Sequence, residues 1–266
     1  MIVETAPAKL NLALHVRARR PDGYHELETL FAFVEQGDEL RVAPAAADSF
    51  AVTGPFAPAL DGEGDNLVTR AARAFRLHFG GGGHAITLDK RLPVASGIGG
   101  GSADAAATLR ALGRLHDVPL DAMFPIADAL GSDVPACLFG QSAIGRGRGE
   151  RLEPVPGLPG TPVLLVNPRV AVSTAEVFRR WDGTDRGPLS TDPRAGRNDL
   201  EPPARAIAPV IGDVLDALEA QPGANLVRMS GSGATCFALF DSDAQARAAA
   251  EFLEPLGWWT LPTRLT

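Results

Sequence analysis

Apolar and polar residues alternate along the first part of the chain. In the segment AKLNLALHV, every second residue from Leu10 to Val16 is apolar and lies on one face of an extended strand. Lys9 and Asn11 lie on the opposite face, which is small or polar. The pattern predicts a strand over residues 2–16 that has one face in the core.

The same alternation, with β-branched and apolar residues between turn signals, predicts the other strands. They lie in RRPDGYHELETLFAFVE after its Pro-Asp-Gly turn, in DELRVAPA, in HAITLDKRLPV, over residues 163–167, and twice in NLVRMSGSGATCFALF around a Gly-Ser turn.

Apolar residues at helical spacing, with capping residues before them, predict the helices. These are a helix capped by Asp65 or Asn66, one that begins near Ser102, one over residues 121–130 that ends at Gly131, one opened by Ser173 or Thr174, one over residues 204–220, and one in DAQARAAAEFLEP.

Strands and helices are mixed along the chain, which predicts an α+β fold. A length of 266 residues favours two domains. Prolines and glycines alternate in PVPGLPGTP, residues 154–162, where few groups can pack. We therefore expect an N-terminal domain over residues 1–155 and a C-terminal domain over residues 156–266.

Composition excludes several classes of protein. A net charge of −7 argues against a nucleic-acid-binding surface. Apolar runs such as VPACLF are far shorter than the ~20 residues that a membrane-spanning helix needs. Cys137 and Cys236 lie far apart in apolar segments without CxxC spacing, so we expect buried free thiols. We expect a cytoplasmic protein that binds neither nucleic acid nor a membrane.

The segment LPVASGIGGGSADAAATL concentrates glycines directly before a helix-forming run. A glycine costs roughly 0.5–1 kcal/mol relative to alanine, so Gly97, Gly99, Gly100 and Gly101 together need a compensating reason. Without Cβ atoms, backbone N–H groups can converge on phosphate oxygens, and the dipole of the following helix favours the same anion. A mobile connector is the alternative; the strong helix that follows favours a phosphate loop.

Common nucleotide and catalytic motifs do not account for this segment. The chain has no GxxxxGK[ST] sequence, the glycine run does not fit GxGxxG, and protein-kinase signatures are missing. Neither Ser102 nor Ser232 lies in a GxSxG elbow. A nucleotide would therefore be bound by another class of fold.

PVASGIGGGSADAA resembles the phosphate loop of the GHMP kinases, the superfamily of galactokinase and of homoserine, mevalonate and phosphomevalonate kinases. APAKLNLALHV, RPDGYHELETLF, GSDVPACLFG and RMSGSGATCFALF resemble its other sequence blocks, in order, over nearly the whole chain. The segments DGYHEL and AKLNL together resemble those of one branch of the superfamily. Members of that branch phosphorylate a cytidine diphosphate ester of methylerythritol for isoprenoid synthesis. The resemblance implies an N-terminal domain like ribosomal protein S5 domain 2 and a ferredoxin-like C-terminal domain.

The resemblance implies an ATP-dependent small-molecule kinase whose catalytic residues are Lys9 and Asp133. Asp133 would accept the proton of the substrate hydroxyl, and Lys9 would stabilise the developing alkoxide. Taken alone, Asp133 is equally well a helix N-cap or turn acid, and Lys9 a solvated strand lysine.

The resemblance also implies an ATP site. Its residues are Pro93, Val94, Ala95, Ser96, Gly97, Ile98, Gly99, Gly100, Gly101, Ser102 and Ala103, with Asn66 and Lys90 towards the adenosine and Asp104 near the phosphates or metal. Without the resemblance, Asn66 is a helix cap, Lys90 a solvated lysine at a strand end, and Asp104 an acid that suits the helix dipole.

The acceptor site implied by the resemblance consists of Asn11, Tyr24, His25, Thr174, Phe178 and Gly231. A cytosine ring offers a π-face and a hydrogen-bonding edge, which aromatic and imidazole side chains can meet. Alone, Phe178 is more simply a core residue, His25 a surface turn residue, and SGSGAT a hairpin turn.

Two features depart from the superfamily pattern. Ala103 replaces the second of two serines that often end the loop, and no glutamate can be assigned to Mg²⁺. ATP as phosphoryl donor implies Mg²⁺, whose protein ligands stay unknown.

The alternatives are another GHMP small-molecule kinase, such as one acting on homoserine, a nucleotide-binding regulator without catalysis, or a phosphate-loop scaffold protein. Lys9 and Asp133 together speak against the regulator. We expect a monomer or a weak homodimer.

Overall fold

The computed structural model describes residues 1–60 and 65–266. Its strands are β1 (Ile2–Arg19), β2 (His25–Ala45), β3 (Ser49–Thr53), β4 (Gly83–Asp89), β5 (Ala143–Gly147), β6 (Arg151–Pro154), β7 (Pro162–Asn167), β8 (Ala224–Met229), β9 (Cys236–Phe240) and β10 (Trp259–Arg264). Its helices are α1 (Leu67–Phe79), α2 (Gly100–His116), α3 (Phe124–Leu130), α4 (Val134–Phe139), α5 (Thr174–Arg179), α6 (Glu201–Ile207), α7 (Val210–Glu219) and α8 (Asp243–Leu253). The predicted α+β class is confirmed.

The chain forms two compact units, each assembled from separate segments. The first contains Met1–Ala8, Gln36–Val94 and Gly99–Gly140, and the second contains Lys9–Glu35, Ala95–Ile98 and Gln141–Thr266. Strands β1 and β2 contribute residues to both units. The predicted domain boundary at residues 155 and 156 is not tested by this division and stays a prediction.

In the first unit, β4 pairs antiparallel with the second half of β2 and parallel with β3. Helix α2 packs against α1 and α4. Gly37 lets β2 approach β1 closely, because a Cβ atom on Gly37 would lie 1.9 Å from the Ala6 carbonyl oxygen.

In the second unit, the first half of β2 pairs with β5, and β5 pairs with β6. A separate antiparallel sheet has the order β10-β7-β9-β8. Strand β7, helices, the β8–β9 pair, α8 and β10 follow one another in a β-α-β-β-α-β order, which is the expected ferredoxin-like arrangement. Its core includes Leu164 and Val166 of β7, Phe240 of β9, Leu218 of α7 and Leu253 of α8.

The structure corrects some predicted boundaries. Segments HELETLFAFVE and DELRVAPA form one strand, β2, because the glycine between them allows close packing instead of a turn. The predicted helix over residues 204–220 is two helices, α6 and α7, because Pro209 lacks the N–H group that a continuous helix needs.

Five short elements, β3, α4, β5, β6 and β10, were not predicted. Strand β10 contains Pro262, which sequence patterns count against a strand, but β10 lies at the edge of its sheet, where a missing N–H group is tolerated. Both cysteines are buried and are not joined in a disulfide, as predicted. Among the described residues, the helices lack the length and apolar character required to cross a membrane.

Candidate active site

Lys9 and Asn11 form a buried polar chain on β1 in the second unit. The Lys9 ammonium donates to Asn11 Oδ1 at 2.8 Å, and Asn11 Nδ2 donates to Thr29 Oγ1 at 2.7 Å. The Thr29 hydroxyl in turn donates to the Ala13 carbonyl oxygen at 2.8 Å. Thr29 donates its single hydroxyl proton to Ala13, so towards Asn11 it can only accept a hydrogen bond. The amide nitrogen of Asn11 therefore faces Thr29, and its amide oxygen faces Lys9.

Lys9 is not a solvated strand lysine. It is 2% exposed, and its ammonium lies 5.4 Å from the centre of the Phe31 ring. Burial of an ammonium is costly unless hydrogen bonds and nearby π-density compensate for lost water. The arrangement therefore holds a positive charge at a fixed position inside the protein.

The connection between β8 and β9, residues 230–235, lies beside this chain. The Ser230 hydroxyl bonds the Asn11 N–H group at 3.2 Å and the Gly97 carbonyl oxygen at 3.1 Å. A Cβ atom on Gly231 would lie 3.2 Å from Asn11 Oδ1. The connection spans more residues than the Gly-Ser turn predicted from the sequence, and it brings Asn11, Gly97 and Gly231 together.

The first part of the glycine segment is anchored through its backbone in the second unit. Ser96 O accepts from Thr235 N at 3.1 Å, and Ile98 O accepts from Lys9 N at 2.9 Å. Gly97 has a φ of +78°, and a Cβ atom there would lie 2.6 Å from the Gly233 carbonyl oxygen. Only glycine meets both requirements.

The other residues of this part differ in exposure. Val94 is 39% exposed, Ala95 is exposed with a φ of 51°, and Pro93 is buried. These residues lead from the end of β4 to the glycines. The predicted phosphate loop is therefore an ordered connection, held by specific hydrogen bonds, and not a mobile linker.

The second part of the segment begins helix α2 in the first unit. Gly99, in the left-handed conformation with φ 66°, is the N-cap, and α2 starts at Gly100. Ser102, predicted to cap the helix, lies within its first turn. Ala103 is 1% exposed, and its N–H bonds Gly99 O at 2.8 Å. Gly99 and not Ser102 is the N-cap, because the N-cap residue has a positive φ, which glycine adopts easily.

This helix start suits an anion. Within the described chain no side chain caps α2, and its first turn carries no acidic residue. The first N–H groups of a helix have no partner within the helix, and the helix dipole gives them partial positive charge. The 17-residue helix therefore presents Gly100, Gly101 and Ser102 as donors of the kind that bind phosphate.

Lys90 is buried between two carboxylates in the first unit. Its ammonium donates to Asp38 Oδ2 at 2.5 Å and to Asp104 Oδ2 at 2.7 Å. Burial opposes the charged form of Lys90, but the two carboxylates outweigh this and raise the pKa of its ammonium. Lys90 is therefore not the solvated strand-end lysine that its sequence context suggests.

Asn66 caps helix α1 in the first unit. Its Oδ1 accepts from Val68 N at 3.0 Å and from Thr69 N at 3.1 Å. The cap predicted from the sequence is confirmed. This role occupies the amide oxygen of Asn66, so a nucleotide contact would use its amide nitrogen.

Asp133 stands at the N-cap position of α4, also in the first unit. Its backbone is in the right-handed helical region, and its carboxylate makes no capping bond to the described helix. The half-buried side chain is thus not used as an ordinary N-cap, one of the two roles its sequence position allows.

Aromatic rings cluster around His25 in the second unit. The His25 and Phe178 rings lie 4.9 Å apart, and Trp181 meets His25 edge-on at 5.8 Å. Burial, followed by the nearby charge of Arg19, lowers the pKa of His25. The imidazole is therefore neutral near pH 7, so one ring nitrogen can accept a hydrogen bond and the other can donate.

Tyr24 precedes this cluster and is 50% exposed. The Arg148 guanidinium lies 5.0 Å from the centre of its ring. Thr174, at the start of α5, shares a 2.8 Å hydrogen bond with Ser232. The structure thus ties Thr174 to the same 230–235 connection as Asn11 and Gly231.

Several supporting residues were not found from the sequence. Thr29 and Ser230 lie in the segments RPDGYHELETLF and RMSGSGATCFALF but were given no role of their own, and Asp38 lies outside the segments that resemble the superfamily. Asn198 donates to the carbonyl oxygens of Met229 at 2.7 Å and Gly231 at 2.8 Å, which fixes the start of the 230–235 connection. The only available signal was a polar residue at a position where the strand pattern predicts burial, as for Thr29.

A resident metal cage is not built into the described residues, which contain no group of three or more His, Cys, Asp or Glu side chains arranged to hold an ion. Asp104, the acid expected near the phosphates or metal, faces the Lys90 ammonium instead. Mg²⁺ commonly keeps several waters and binds through substrate phosphates, which is compatible with this site.

Comparison with known families identifies the chain. Residues 66–141 match the family described as GHMP kinases N terminal domain, and residues 188–256 match the family described as GHMP kinases C terminal. The chain is 55% identical over 264 residues to a 4-diphosphocytidyl-2-C-methyl-D-erythritol kinase of Novosphingobium aromaticivorans, which covers 97% of this chain and 90% of the relative. The chain belongs to the GHMP kinase family.

Other relatives of this GHMP kinase agree. A protein of the same name from Rhizorhabdus wittichii is 55% identical over 276 residues, covering 98% of this chain and 94% of the relative. The crystal structure of a 4-(cytidine 5'-diphospho)-2C-methyl-D-erythritol kinase is 38% identical, with a TM-score of 0.85 and 99% of each chain covered. The predicted family, fold and kinase activity are confirmed.

More distant structures share the fold of this GHMP kinase. A homoserine kinase from Cytophaga hutchinsonii has a TM-score of 0.71 at 19% identity and covers 99% of this chain and 93% of its own. At that identity the likeness concerns the fold alone. The roles of individual site residues stay predictions.

Proposed function

We propose that this kinase transfers the γ-phosphate of ATP to a hydroxyl of 4-diphosphocytidyl-2-C-methyl-D-erythritol, giving the 2-phosphate in the non-mevalonate pathway to isoprenoid precursors. The observation that carries the proposal is the buried chain from Lys9 through Asn11 to Thr29, which keeps a cation ready for developing negative charge. The names of the relatives at 55% identity support the choice of acceptor.

ATP is bound by residues 93–103, with Asn66, Lys90 and Asp104 as supporting residues. The first N–H groups of α2, which no side chain of the described residues caps, and the positive end of its dipole support triphosphate binding there. Mg²⁺ bound with ATP would neutralise charge on the phosphates. Ser102, in the first turn of α2, has the hydroxyl that best fits a phosphate or metal contact.

Asp133 accepts the proton of the acceptor hydroxyl, and Lys9 stabilises the oxygen as it gains negative charge. Phosphoryl transfer passes through a loose transition state, so positioning and charge stabilisation supply most of the catalysis. A fixed ammonium loses little free energy to reorganisation during the reaction. The hydrogen bond from Lys9 to Asn11 supports such preorganisation.

The acceptor is bound by Asn11, Tyr24, His25, Thr174, Phe178 and Gly231. A neutral His25 can bond the edge of a cytosine ring, and the ring of Phe178 beside it offers an apolar surface for the base. Asn11 and Gly231 supply polar groups beside Lys9. The reaction is expected in the cytoplasm, by a monomer or weak homodimer.

An acceptor panel tests the proposal. Purified protein is given Mg²⁺ and ATP with the cytidyl substrate, homoserine or mevalonate, and ADP release is measured for each. We expect acceptor-dependent ADP release with the cytidyl substrate alone. Turnover of homoserine would assign the chain to another GHMP activity, and ATP binding without turnover of any acceptor would indicate a regulator.

A further inference from the structure

Trp181 carries a buried N–H group that the proposed function does not use. Trp181 follows helix α5, is 3% exposed, and packs in the core of the second unit. Its indole nitrogen, Nε1, is buried and has no hydrogen-bond partner among the described residues. A buried polar group without a partner has lost its hydrogen bonds to water without replacement, so the position of this N–H group calls for an explanation.

A second nitrogen without a partner lies in the adjoining ring. His25 Nε2 is also buried, and it makes no hydrogen bond within the part of the chain that the structure describes. The His25 and Trp181 rings meet edge-on, with their centres 5.8 Å apart and an angle of 80° between their planes, which is the separation of rings in contact. The two unsatisfied nitrogens therefore belong to one pair of packed rings.

Hydrogen-bonding chemistry permits one pairing of these nitrogens. An indole nitrogen can only donate, whereas a neutral imidazole has one nitrogen that donates and one that accepts. A proton on His25 Nε2 would leave two buried donors in neighbouring rings without an acceptor. A proton on Nδ1 instead makes Nε2 an acceptor, which matches the single donor of Trp181. The lowered pKa of His25, caused by burial and then by Arg19, keeps this acceptor available near pH 7.

Neighbouring side chains hold the two rings in place. The Arg19 guanidinium lies 5.4 Å from the centre of the Trp181 ring, a distance at which a cation is attracted to an aromatic face. Arg19 Nη2 also donates to the carbonyl oxygen of Trp181, and to that of Arg179 at 3.5 Å. The Phe178 ring, 4.9 Å from His25, restricts the imidazole. Arg19 thus fixes the indole and favours a neutral imidazole beside it.

We propose that the Trp181 N–H group donates to His25 Nε2, directly or through one buried water, and thereby fixes the His25 proton on Nδ1. Trp181 is then a positioning residue, which acts on the acceptor through His25. Nδ1 presents a hydrogen-bond donor to the base. Cytosine accepts hydrogen bonds at N3 and O2, whereas N3 of uracil carries a hydrogen, so a donor from His25 favours cytosine. The inference rests on the proposed cytidyl acceptor site and names the group that sets its choice of base.

Nitrogen NMR of protein with isotopically labelled histidine tests the hydrogen bond without any ligand, because protonated and unprotonated ring nitrogens have well-separated chemical shifts. His25→Gln identifies the His25 signals among those of the five histidines. In the natural protein near neutral pH we expect a protonated Nδ1 and an unprotonated Nε2. Trp181→Phe keeps an aromatic ring but removes the N–H group, so this preference should be lost. A proton on Nε2 in the natural protein, or the same tautomer in Trp181→Phe, would overturn the proposal.

Calorimetry with CDP and with UDP measures the effect on base choice. In Trp181→Phe we expect Kd for CDP to rise roughly 2–10-fold, the usual effect of one neutral hydrogen bond, and Kd for UDP to change less. KM for the cytidyl substrate should rise by a similar factor, with a smaller change in kcat. Trp258→Phe, the same substitution at a half-buried tryptophan of this unit, is the matched control and should leave the tautomer and both Kd values unchanged. Equal losses of CDP and UDP affinity in Trp181→Phe would show that Trp181 only packs.

The outcomes separate this inference from the proposed function. A tautomer that depends on Trp181, without CDP binding or phosphorylation of the cytidyl substrate, would support the hydrogen bond and overturn the acceptor. Phosphorylation of the cytidyl substrate with an unchanged tautomer in Trp181→Phe would overturn the inference alone. If Trp181→Phe fails to fold, the position of the His25 proton in the natural protein still decides.

Discussion

The ammonium of Lys9 is held by the side-chain oxygen of Asn11, 2.8 Å away and almost fully buried. The chain contains only two lysines, Lys9 and Lys90, among 25 basic residues, and both are buried. Arginine is used everywhere else. A lysine is a compact point charge on a flexible stem, which arginine with its planar, wider head cannot replace in a confined position.

Replacement of Lys9 by methionine tests its charge. Methionine fills a similar volume, so we expect a folded protein whose kcat falls by about 10²–10³, the usual effect of removing one preorganised electrostatic group. KM for ATP should change far less. Lys9→Arg should not restore activity, because the larger head cannot occupy the same buried space. Near-natural kcat in Lys9→Met would exclude a catalytic role.

Asp133→Asn tests the proposed general base. The amide has nearly the same shape but cannot accept the hydroxyl proton, so kcat should fall by about 10²–10⁴ while the ATP analogue still binds. Steady-state kinetics and calorimetry measure the two effects separately. Asp128→Asn, at a helix position in the same unit, serves as the control. Unchanged phosphorylation in Asp133→Asn would show that another group takes the proton.

A substitution of Phe178 distinguishes a role in binding the cytosine base from a role in packing alone. Phe178→Leu keeps an apolar side chain in the core but removes the aromatic face, and stacking on a base contributes about 1–3 kcal/mol. We expect KM for the cytidyl substrate to rise roughly 5–150-fold, with KM for ATP unchanged. A rise in both KM values, together with a lower Tm, would indicate that Phe178 only packs against its neighbours.

Gly97→Ala tests the close approach of the glycine segment to the 230–235 connection. The φ of +78° disfavours alanine, and its Cβ atom would lie 2.6 Å from Gly233 O and 2.8 Å from Ser230 O. We expect a loss of roughly 1–3 kcal/mol in the free energy of unfolding, measured by denaturant titration. Gly160→Ala has a similar φ of +77° but open space around it, so it isolates the effect of the clash. Equal losses in the two variants would contradict the packing explanation.

The lowered pKa of His84 makes the stability of the fold depend on pH in the mildly acidic range. Burial, followed by the neighbouring His116, lowers the pKa of His84 below its usual 6.5. The fold prefers neutral His84, so its contribution to stability is present above pH 6.5 and is lost as pH falls through the lowered pKa. Tm should fall between about pH 7.5 and about pH 5.5 by less in His84→Gln than in the natural protein. His78→Gln, on the exposed side of α1, is the control, and an identical fall in all three would contradict this origin.

Local periodicity predicted most of the fold. Alternation predicted β1 and β7, and helical spacing with capping residues predicted α1 at Asn66 and α5 at Ser173. The edge strand β10 was missed because Pro262 contradicts the local rule and only its place in the sheet permits it.

The candidate site was only partly predictable for a different reason. Lys9 and Asn11 share a strand face, so the sequence predicts that they lie together. Asp38 and Lys90 lie 52 positions apart, and their hydrogen bond depends on tertiary packing. Burial of both lysines, and the support from Thr29, likewise arise from strand pairing and long-range contacts that no local pattern contains.

Product analysis tests the central claim most directly. Purified protein, ATP, Mg²⁺ and 4-diphosphocytidyl-2-C-methyl-D-erythritol are incubated together, and the products are followed by phosphorus NMR and mass spectrometry. The account predicts equal amounts of ADP and of an acceptor with one new phosphate monoester at the 2-hydroxyl. ADP without a phosphorylated acceptor, or a phosphate at another position, would contradict it.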